Sequence, residues 1–131
     1  MILGLGIDLV RIERLRKAVK RHPAILDRLF TPGEQEMCLS RKDSDSSLAA
    51  RFAAKEAFLK AVGTGWGRGM KWTDIEVAGG GGQAPSLVLH GEAEVLVRRM
   101  GAGAGHLSLA HDGGVACAVV VLEKESAEDR F

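Results

Sequence analysis

A hairpin signal near the carboxyl end narrows the possible folds of this chain more than any other stretch. Residues 106–123 read HLSLAHDGGVACAVVVLE. The alternating apolar residues, the turn at Asp112 and Gly113, and the second apolar run predict two antiparallel strands. Because that second run is almost continuously apolar, we expect its strand to be central in a sheet or buried on both faces. The rest of the chain must therefore complete and cover an antiparallel sheet.

Two helix signals stand out in the first half of the chain. Thr31 is a good N-cap, Pro32 suits the first helical position, and Glu34 follows the cap by three residues, as a capping box requires. We therefore predict that a helix begins at Pro32. A second, longer helix is predicted over residues 48–62, and the alternating glycines that start at Gly63 end it.

The remaining segments predict shorter elements. These are a strand at 2–9, a basic helix at 10–22, two strands joined by a glycine-rich turn at 74–91, and a short helix at 92–100. A chain of 131 residues suffices for one compact domain with a modest core. We expect a single α+β domain over residues 1–124, with a small antiparallel sheet packed with helices, and a flexible tail at 125–131.

Composition excludes several classes of partner. The 18 basic and 17 acidic side chains nearly cancel, so general nucleic-acid binding is disfavoured, and 5% aromatic residues without tyrosine argue against base stacking. The apolar residues 1–10 are too few to span a membrane. Cys38 and Cys117 stand far apart without a pairing motif, which predicts free thiols in a reducing, cytoplasmic compartment.

Two carboxylates are candidates for a metal site. Asp8 closes an apolar strand, so it must be solvated, hydrogen-bonded or bound to a cation, although it could simply cap a helix that begins near Leu9. Glu56 and Lys60 are spaced i, i+4, which is also typical of an ordinary surface ion pair worth about 0.3–0.5 kcal/mol. Together, Asp8 and Glu56 form a plausible pair for Mg²⁺, which needs one or two carboxylates plus waters and phosphates.

Basic residues gather on one face of the first helix. Arg14, Lys17 and Arg21 are spaced i, i+3 and i+7 and therefore share this face. In a nearly neutral protein such a face indicates an acidic partner, whether a protein helix, a nucleic acid or an anionic membrane. Solubility alone would also explain it.

Three segments together closely resemble one family in sequence, order and spacing. They are GIDLVRIER at 6–14, FTPGEQEMC at 30–38 and RFAAKEAFLKA at 51–61. The family is the holo-acyl-carrier-protein synthases, the small group of 4′-phosphopantetheinyl transferases. The resemblance implies transfer of the phosphopantetheine arm of coenzyme A to a serine of an acyl carrier protein, with release of adenosine 3′,5′-bisphosphate. It also implies a homotrimer whose sites lie at the subunit interfaces.

The same resemblance assigns roles to individual residues. Asp8 and Glu56 would hold Mg²⁺, and Lys60 would stabilise the diphosphate or assist removal of the serine proton. Residues for coenzyme A would be Arg51 and His111 at the 3′-phosphate, Lys55 next to them, and Gly63 and Pro85 in loops. The acidic carrier protein would dock on Arg14, Lys17 and Arg21.

Two positions depart from the usual pattern of that family. Ala110 stands where a second serine is common, and Gln83 stands where a glycine often occurs two residues before the proline. Asp112 directly follows His111 and could orient its imidazole, either as an imidazolium on phosphate or as a base. The candidate catalytic residues are therefore Glu56, Lys60, His111 and Asp112.

A second interpretation of the sequence requires no catalysis. In it, the basic helix of a binding module recognises an acidic protein or a nucleic acid, Asp8 is a helix cap and Glu56 belongs to an ordinary ion pair. Dependence on a divalent metal distinguishes the two interpretations.

Overall fold

The computed structural model describes residues 1–63, 69–80 and 82–126. Its strands are β1 (Ile2–Arg11), β2 (Ile75–Gly80), β3 (Gln83–Leu89), β4 (Ala102–Asp112) and β5 (Val115–Lys124). Its helices are α1 (Ile12–Arg21), α2 (Ile25–Leu29), α3 (Pro32–Leu39), α4 (Ser44–Val62) and α5 (Gly91–Met100), with a 3-10 helix at Trp72–Asp74. This is the α+β class that the sequence predicts.

The predicted hairpin, β4 and β5, belongs to the larger of two sheets. Its strand order is β1-β5-β4 with antiparallel pairing, and β2 pairs with β3 in a second, two-stranded sheet. The prediction that β5 is central is confirmed. Alternate residues of β5 are buried on one face of the sheet, whereas the other face is only half-buried.

The turn of this hairpin differs from the prediction by one residue. Asp112 is still paired, with Val115, so the two-residue loop consists of Gly113 and Gly114. Both glycines have positive φ, 58° and 82°. A two-residue turn of type I′ requires positive φ at both central positions, which a glycine pair supplies without strain.

The long helix α4 packs mainly against β1 and β5 and provides the centre of the core. Its alanines and Phe58 are almost fully buried, together with Val120 and Leu122 of β5. A helix that is apolar on most of its circumference is stable only when it is enclosed. The position of α4 under the sheet therefore follows from its composition.

Helix boundaries agree with the sequence in one case and differ in others. The start of α3 at Pro32 and its capping box are confirmed, with Thr31 Oγ1 accepting from the Glu34 amide at 3.1 Å. α4 begins at Ser44, earlier than predicted, and α2 and the 3-10 helix were not predicted. β1 extends to Arg11 because Leu9 to Arg11 pair with β5, so α1 begins only at Ile12. Asp8 therefore does not cap a helix.

Some sequence expectations fall outside the described residues. These are positions 64–68 of the glycine-rich loop and positions 127–131 of the expected tail. Within the described part of the chain, no helix is both long and apolar enough to cross a membrane. Cys38 is buried, Cys117 is half-buried, and both are free thiols, as predicted.

Candidate active site

Asp8 and Glu56 line the same cavity, which measures about 840 Å³. Asp8 lies opposite Ala118 on the face of the sheet that α4 covers, and Glu56 lies on α4 itself. Burial raises the pKa of Glu56, the negative charge of Asp8 raises it further, and Lys60 opposes both effects. The two carboxylates therefore repel each other across the cavity, which is the electrostatic condition that a bound cation relieves.

Lys60 is the counter-ion of Asp8. Its Nζ donates to Asp8 Oδ1 at 3.0 Å and to the backbone oxygen of Ile7 at 3.0 Å. The lysine side chain is 55% exposed, whereas Asp8 is 16% exposed. Among the described residues, the ion pair of Lys60 is thus with Asp8 on β1 and not with Glu56 one turn earlier in α4.

The donor set at this end of the cavity fits Mg²⁺. Within the described residues, no group of three or more histidine, cysteine, aspartate or glutamate side chains is arranged to hold a metal ion. Two carboxylates are nevertheless sufficient for Mg²⁺, which keeps several waters and takes its other ligands from substrate phosphates. Asp8 and Glu56 suit an ion that is bound together with a phosphorylated substrate.

The rest of this cavity combines an apolar wall with a basic rim. The ring centroids of Phe52 and Trp72 lie 5.2 Å apart in a tilted arrangement on the wall. The rim carries the guanidinium groups of Arg11, Arg14 and Arg28. Arg14 is thus brought to the same cavity as the carboxylates. Lys17 and Arg21 are exposed on α1 and do not line it.

A second cavity, of about 400 Å³, brings together three of the residues predicted to bind coenzyme A. Arg51, Pro85 and His111 line it, with Arg41 and Ser47 among their neighbours. The sequence analysis missed Arg41 and Ser47. Ser47 precedes the helix predicted over 48–62, and its i, i+4 spacing to Arg51 has meaning only because α4 begins at Ser44.

Arg51 is the most constrained cation of this second cavity. Only 3% of the residue is exposed, and its guanidinium donates to the Gly79 carbonyl at 2.8 Å and to Ser47 Oγ at 3.3 Å. Its Nε is buried without a hydrogen-bond partner among the described residues. A buried donor without an acceptor costs about 1–3 kcal/mol.

The two cavities have no lining residue in common. Asp8, Glu56 and Arg14 line the first, and Arg51 and His111 line the second. Asp112 lines neither of them, and Gly63 is the C-cap of α4, where its amide donates to the carbonyls of Leu59 and Lys60. A single chain therefore does not bring all the predicted site residues to one place.

Lys55 does not fit its predicted role as a coenzyme A contact. The residue is completely buried, and its Nζ donates to Glu34 Oε1 at 2.7 Å, to the Ile75 carbonyl at 2.6 Å and to the Trp72 carbonyl at 3.1 Å. An ammonium group has three donors. All three are used inside the protein, so the predicted contact is not retained.

Glu34 is the acidic partner that sequence analysis treated only as part of a capping box. Its Oε1 accepts from the Thr31 amide at 3.0 Å, and its Oε2 accepts from the Val77 amide at 3.0 Å. Burial lowers the pKa of Lys55, and the charge of Glu34 opposes that shift. This buried pair joins α3, α4 and β2 and holds the backbone of Trp72, which forms the wall of the first cavity.

Comparison with known proteins identifies the family of this chain. The family profile described as "4'-phosphopantetheinyl transferase superfamily" matches residues 4–120. A holo-[acyl-carrier-protein] synthase of Trichlorobacter lovleyi is 52% identical over 124 residues, which cover 94% of this chain and 98% of that protein.

Two crystal structures of holo-[acyl-carrier-protein] synthases are similar in fold. The Neisseria meningitidis protein has a TM-score of 0.84 and 32% identity, with 95% of this chain and all of that chain covered. The Helicobacter pylori protein, in complex with coenzyme A, has a TM-score of 0.78 and 37% identity, with 91% and 99% covered. With its carboxylate pair, its basic helix and this similarity over nearly the whole length, the chain belongs to the 4′-phosphopantetheinyl transferase superfamily.

Proposed function

We propose that this protein transfers the 4′-phosphopantetheine arm of coenzyme A to a serine of apo acyl carrier protein, giving holo acyl carrier protein and adenosine 3′,5′-bisphosphate. The observation that carries the proposal is a cavity that Asp8 and Glu56 line together with three arginines, with Lys60 paired to Asp8 at 3.0 Å. Support comes from holo-[acyl-carrier-protein] synthases about half identical to this chain, and from a related structure that contains coenzyme A.

Mg²⁺ is the metal that the carboxylate pair suits best. Asp8 and Glu56 would hold it, and the bound ion would neutralise the diphosphate and favour attack on its phosphorus. Lys60 is over half exposed beside Asp8, so its ammonium can turn toward phosphate oxygens and stabilise the charge of the leaving group. The acceptor of the serine proton is unassigned among these residues.

The second cavity is the proposed place of the adenosine 3′-phosphate. Arg51 places its guanidinium there, and Ser47 Oγ holds it by accepting from it at 3.3 Å while donating to Cys38 Sγ at 3.2 Å. His111 and Pro85 line the same cavity. Asp112 follows His111 at the end of β4 and lines neither cavity, so its catalytic role stays a proposal from the sequence. Gly63 is retained as a proposed backbone contact to coenzyme A at the end of α4.

A homotrimer would unite the two cavities. The outer face of β1 exposes Leu5, Ile7 and Leu9 by 64%, 56% and 67%, which is unusual for three neighbouring apolar side chains on one strand. We propose that this face packs on neighbouring copies. The nucleotide cavity of one protomer would then meet the carboxylate cavity of the next, which accounts for the separation of the two half-sites within one chain.

The carrier protein is the proposed partner of α1. Arg14 lies on the rim of the carboxylate cavity, and Lys17 and Arg21 continue its exposed basic face. An acidic helix docked there would bring its serine toward Asp8 and Glu56. We also propose a cytoplasmic location, which suits the two free thiols.

Mass spectrometry of an apo carrier protein tests this function directly. The carrier is incubated with coenzyme A, MgCl₂ and this protein, and we expect its mass to rise by one phosphopantetheine. A carrier whose serine is replaced by alanine is the matched control, and EDTA should abolish the reaction. An unchanged carrier mass would refute the transferase function, and transfer that persists in EDTA would refute the role of the metal.

A further inference from the structure

Two glycines of β1 allow an unusually close approach between the strand and the long helix. Gly4 and Gly6 face Ala61 and Ala57 of α4. A Cβ atom built on either glycine would overlap the carbonyl oxygen of the alanine that it faces. The obstacle is backbone and not a flexible side chain, so a rotamer change cannot relieve it. Glycine is therefore required at both positions for this separation of strand and helix.

The contact at Gly6 is the one that lies beside the two carboxylates. Asp8 follows Gly6 by two residues, so the two residues point to the same face of β1 and stand about 7 Å apart along the strand. Glu56 immediately precedes Ala57 on α4. The contact at Gly4 meets α4 at Ala61, one helical turn farther along.

Lys60 holds the same junction from its exposed side. Its Nζ binds both the Ile7 carbonyl and Asp8 Oδ1, at 3.0 Å each. β1 thus contacts the backbone of α4 at Gly6, and the Lys60 side chain of α4 hydrogen-bonds to the next two residues of β1. The backbone contact at Gly6 remains when Lys60 turns to a substrate, so the strand that carries Asp8 keeps its position relative to the helix that carries Glu56.

We infer that Gly6 is a positioning residue: by letting β1 approach α4 at Ala57, it fixes the gap between the carboxylates of Asp8 and Glu56 at a span that one divalent cation can bridge. The inference rests on the proposed Mg²⁺ site. Mg²⁺ demands ligands at about 2.0–2.1 Å in near-ideal octahedral geometry, so a small increase in this gap removes one ligand. A misplacement of about 1 Å can cost on the order of 10²-fold in activity.

The test compares Gly6→Ala with Gly4→Ala, because the two substitutions create the same kind of overlap at different distances from the carboxylates. The probe is Mn²⁺ in the presence of coenzyme A and without carrier protein, followed by electron paramagnetic resonance of the free ion. Both variants should melt at lower temperature than the wild type. Gly6→Ala should weaken Mn²⁺ binding by on the order of tenfold or more, and Gly4→Ala by less than about threefold. Equal losses in both variants, or wild-type binding by a folded Gly6→Ala, would overturn the inference.

A longer acidic side chain provides a test that a merely structural role would not pass. Asp8→Glu adds one methylene. In the otherwise wild-type protein it should weaken Mn²⁺ binding, whereas in the Gly6→Ala protein it should restore part of the lost binding. If Gly6→Ala does not fold, wild-type Mn²⁺ binding by Asp8→Glu would still overturn the inference, because a site that tolerates the longer side chain has no fixed gap. A wild-type protein that binds no Mn²⁺ refutes the metal proposal, whereas normal wild-type binding with no effect of Gly6→Ala refutes only the role of Gly6.

Discussion

Lys55 and Lys60 stand five residues apart on the same helix, and each forms an ion pair with an acid from another element, but their surroundings are opposite. Lys55 and Glu34 are both 0% exposed, and every donor of the ammonium is used. Lys60 is 55% exposed, and its partner Asp8 lies at the edge of a large cavity beside Glu56.

The difference separates structural charges from charges that are available for chemistry. A buried pair with all its hydrogen bonds made is costly to break and has nothing to offer a ligand. A half-exposed pair contributes about 0–1 kcal/mol to stability, so its side chains can be redirected to a substrate at little cost. We therefore expect substitutions at the two lysine sites to affect different measurements.

The largest expected effect is on activity at the cavity that Asp8 and Glu56 line. Glu56→Gln should lower kcat for phosphopantetheine transfer by about 10³-fold or more, because the amide is a poor ligand for Mg²⁺. Burial and Asp8 raise the pKa of Glu56, so ionisation of this carboxyl costs more in the folded than in the unfolded chain and lowers the stability of the fold above pH 4.5. The variant should therefore melt at the same temperature as the wild type or slightly higher. A large fall in melting temperature would show that this carboxylate is structural.

Substitution in the buried pair of Lys55 and Glu34 should lower stability and leave the metal site intact. Lys55→Met leaves Glu34 buried without its cation, so the free energy of unfolding should fall by about 3–5 kcal/mol, measured by urea denaturation. The double variant Lys55→Met with Glu34→Gln should recover part of that loss. The folded fraction should still bind Mn²⁺ with coenzyme A. A stable Lys55→Met protein with a raised KM for coenzyme A would restore Lys55 as a substrate contact.

A smaller effect is expected on docking of the carrier protein beside the cavity that Asp8 and Glu56 line. Arg14→Glu should raise the KM for the carrier protein about tenfold and leave the KM for coenzyme A nearly unchanged, because it places a like charge against an acidic helix. Arg99→Glu on α5 is the matched control, since it changes the net charge equally on another exposed helix. Equal effects of the two substitutions would indicate a general charge effect and not docking on α1.

The smallest effect is expected at the half-buried hydrogen bonds of Glu76, whose exposure lies between those of the two lysines. Burial alone would raise the pKa of Glu76, but hydrogen bonds from His90 at 2.8 Å and Thr31 at 2.7 Å hold it below the ordinary value of 4.5. A lowered folded-state pKa stabilises the protein above pH 4.5, and that stabilisation is lost as the pH falls through the folded value. Glu76→Gln should therefore lower the melting temperature by about 2–5 °C at pH 7 and by less at about pH 3. A constant difference across this range would contradict the assignment.

Much of this architecture could be predicted because its signals are local. The capping box at Thr31 and Glu34 and the hairpin before β5 depend on backbone conformations that a few neighbouring residues determine. The 3-10 helix at Trp72–Asp74 and the extension of β1 to Arg11 were missed, because contacts with distant segments stabilise them. The site residues carried over from the family resemblance remain predictions, apart from Lys55.

By itself, the sequence determined the α+β class, through periodicity and turn chemistry, and the family, through the resemblance of three short motifs, and it predicted the carboxylate pair. It could not distinguish Lys55 from Lys60, since both are lysines on one predicted helix. Only the tertiary structure decided that α3 and β2 enclose the first while a cavity opens beside the second. The physical reason is that the accessibility of a charge depends on what packs against it, and those neighbours come from remote parts of the chain.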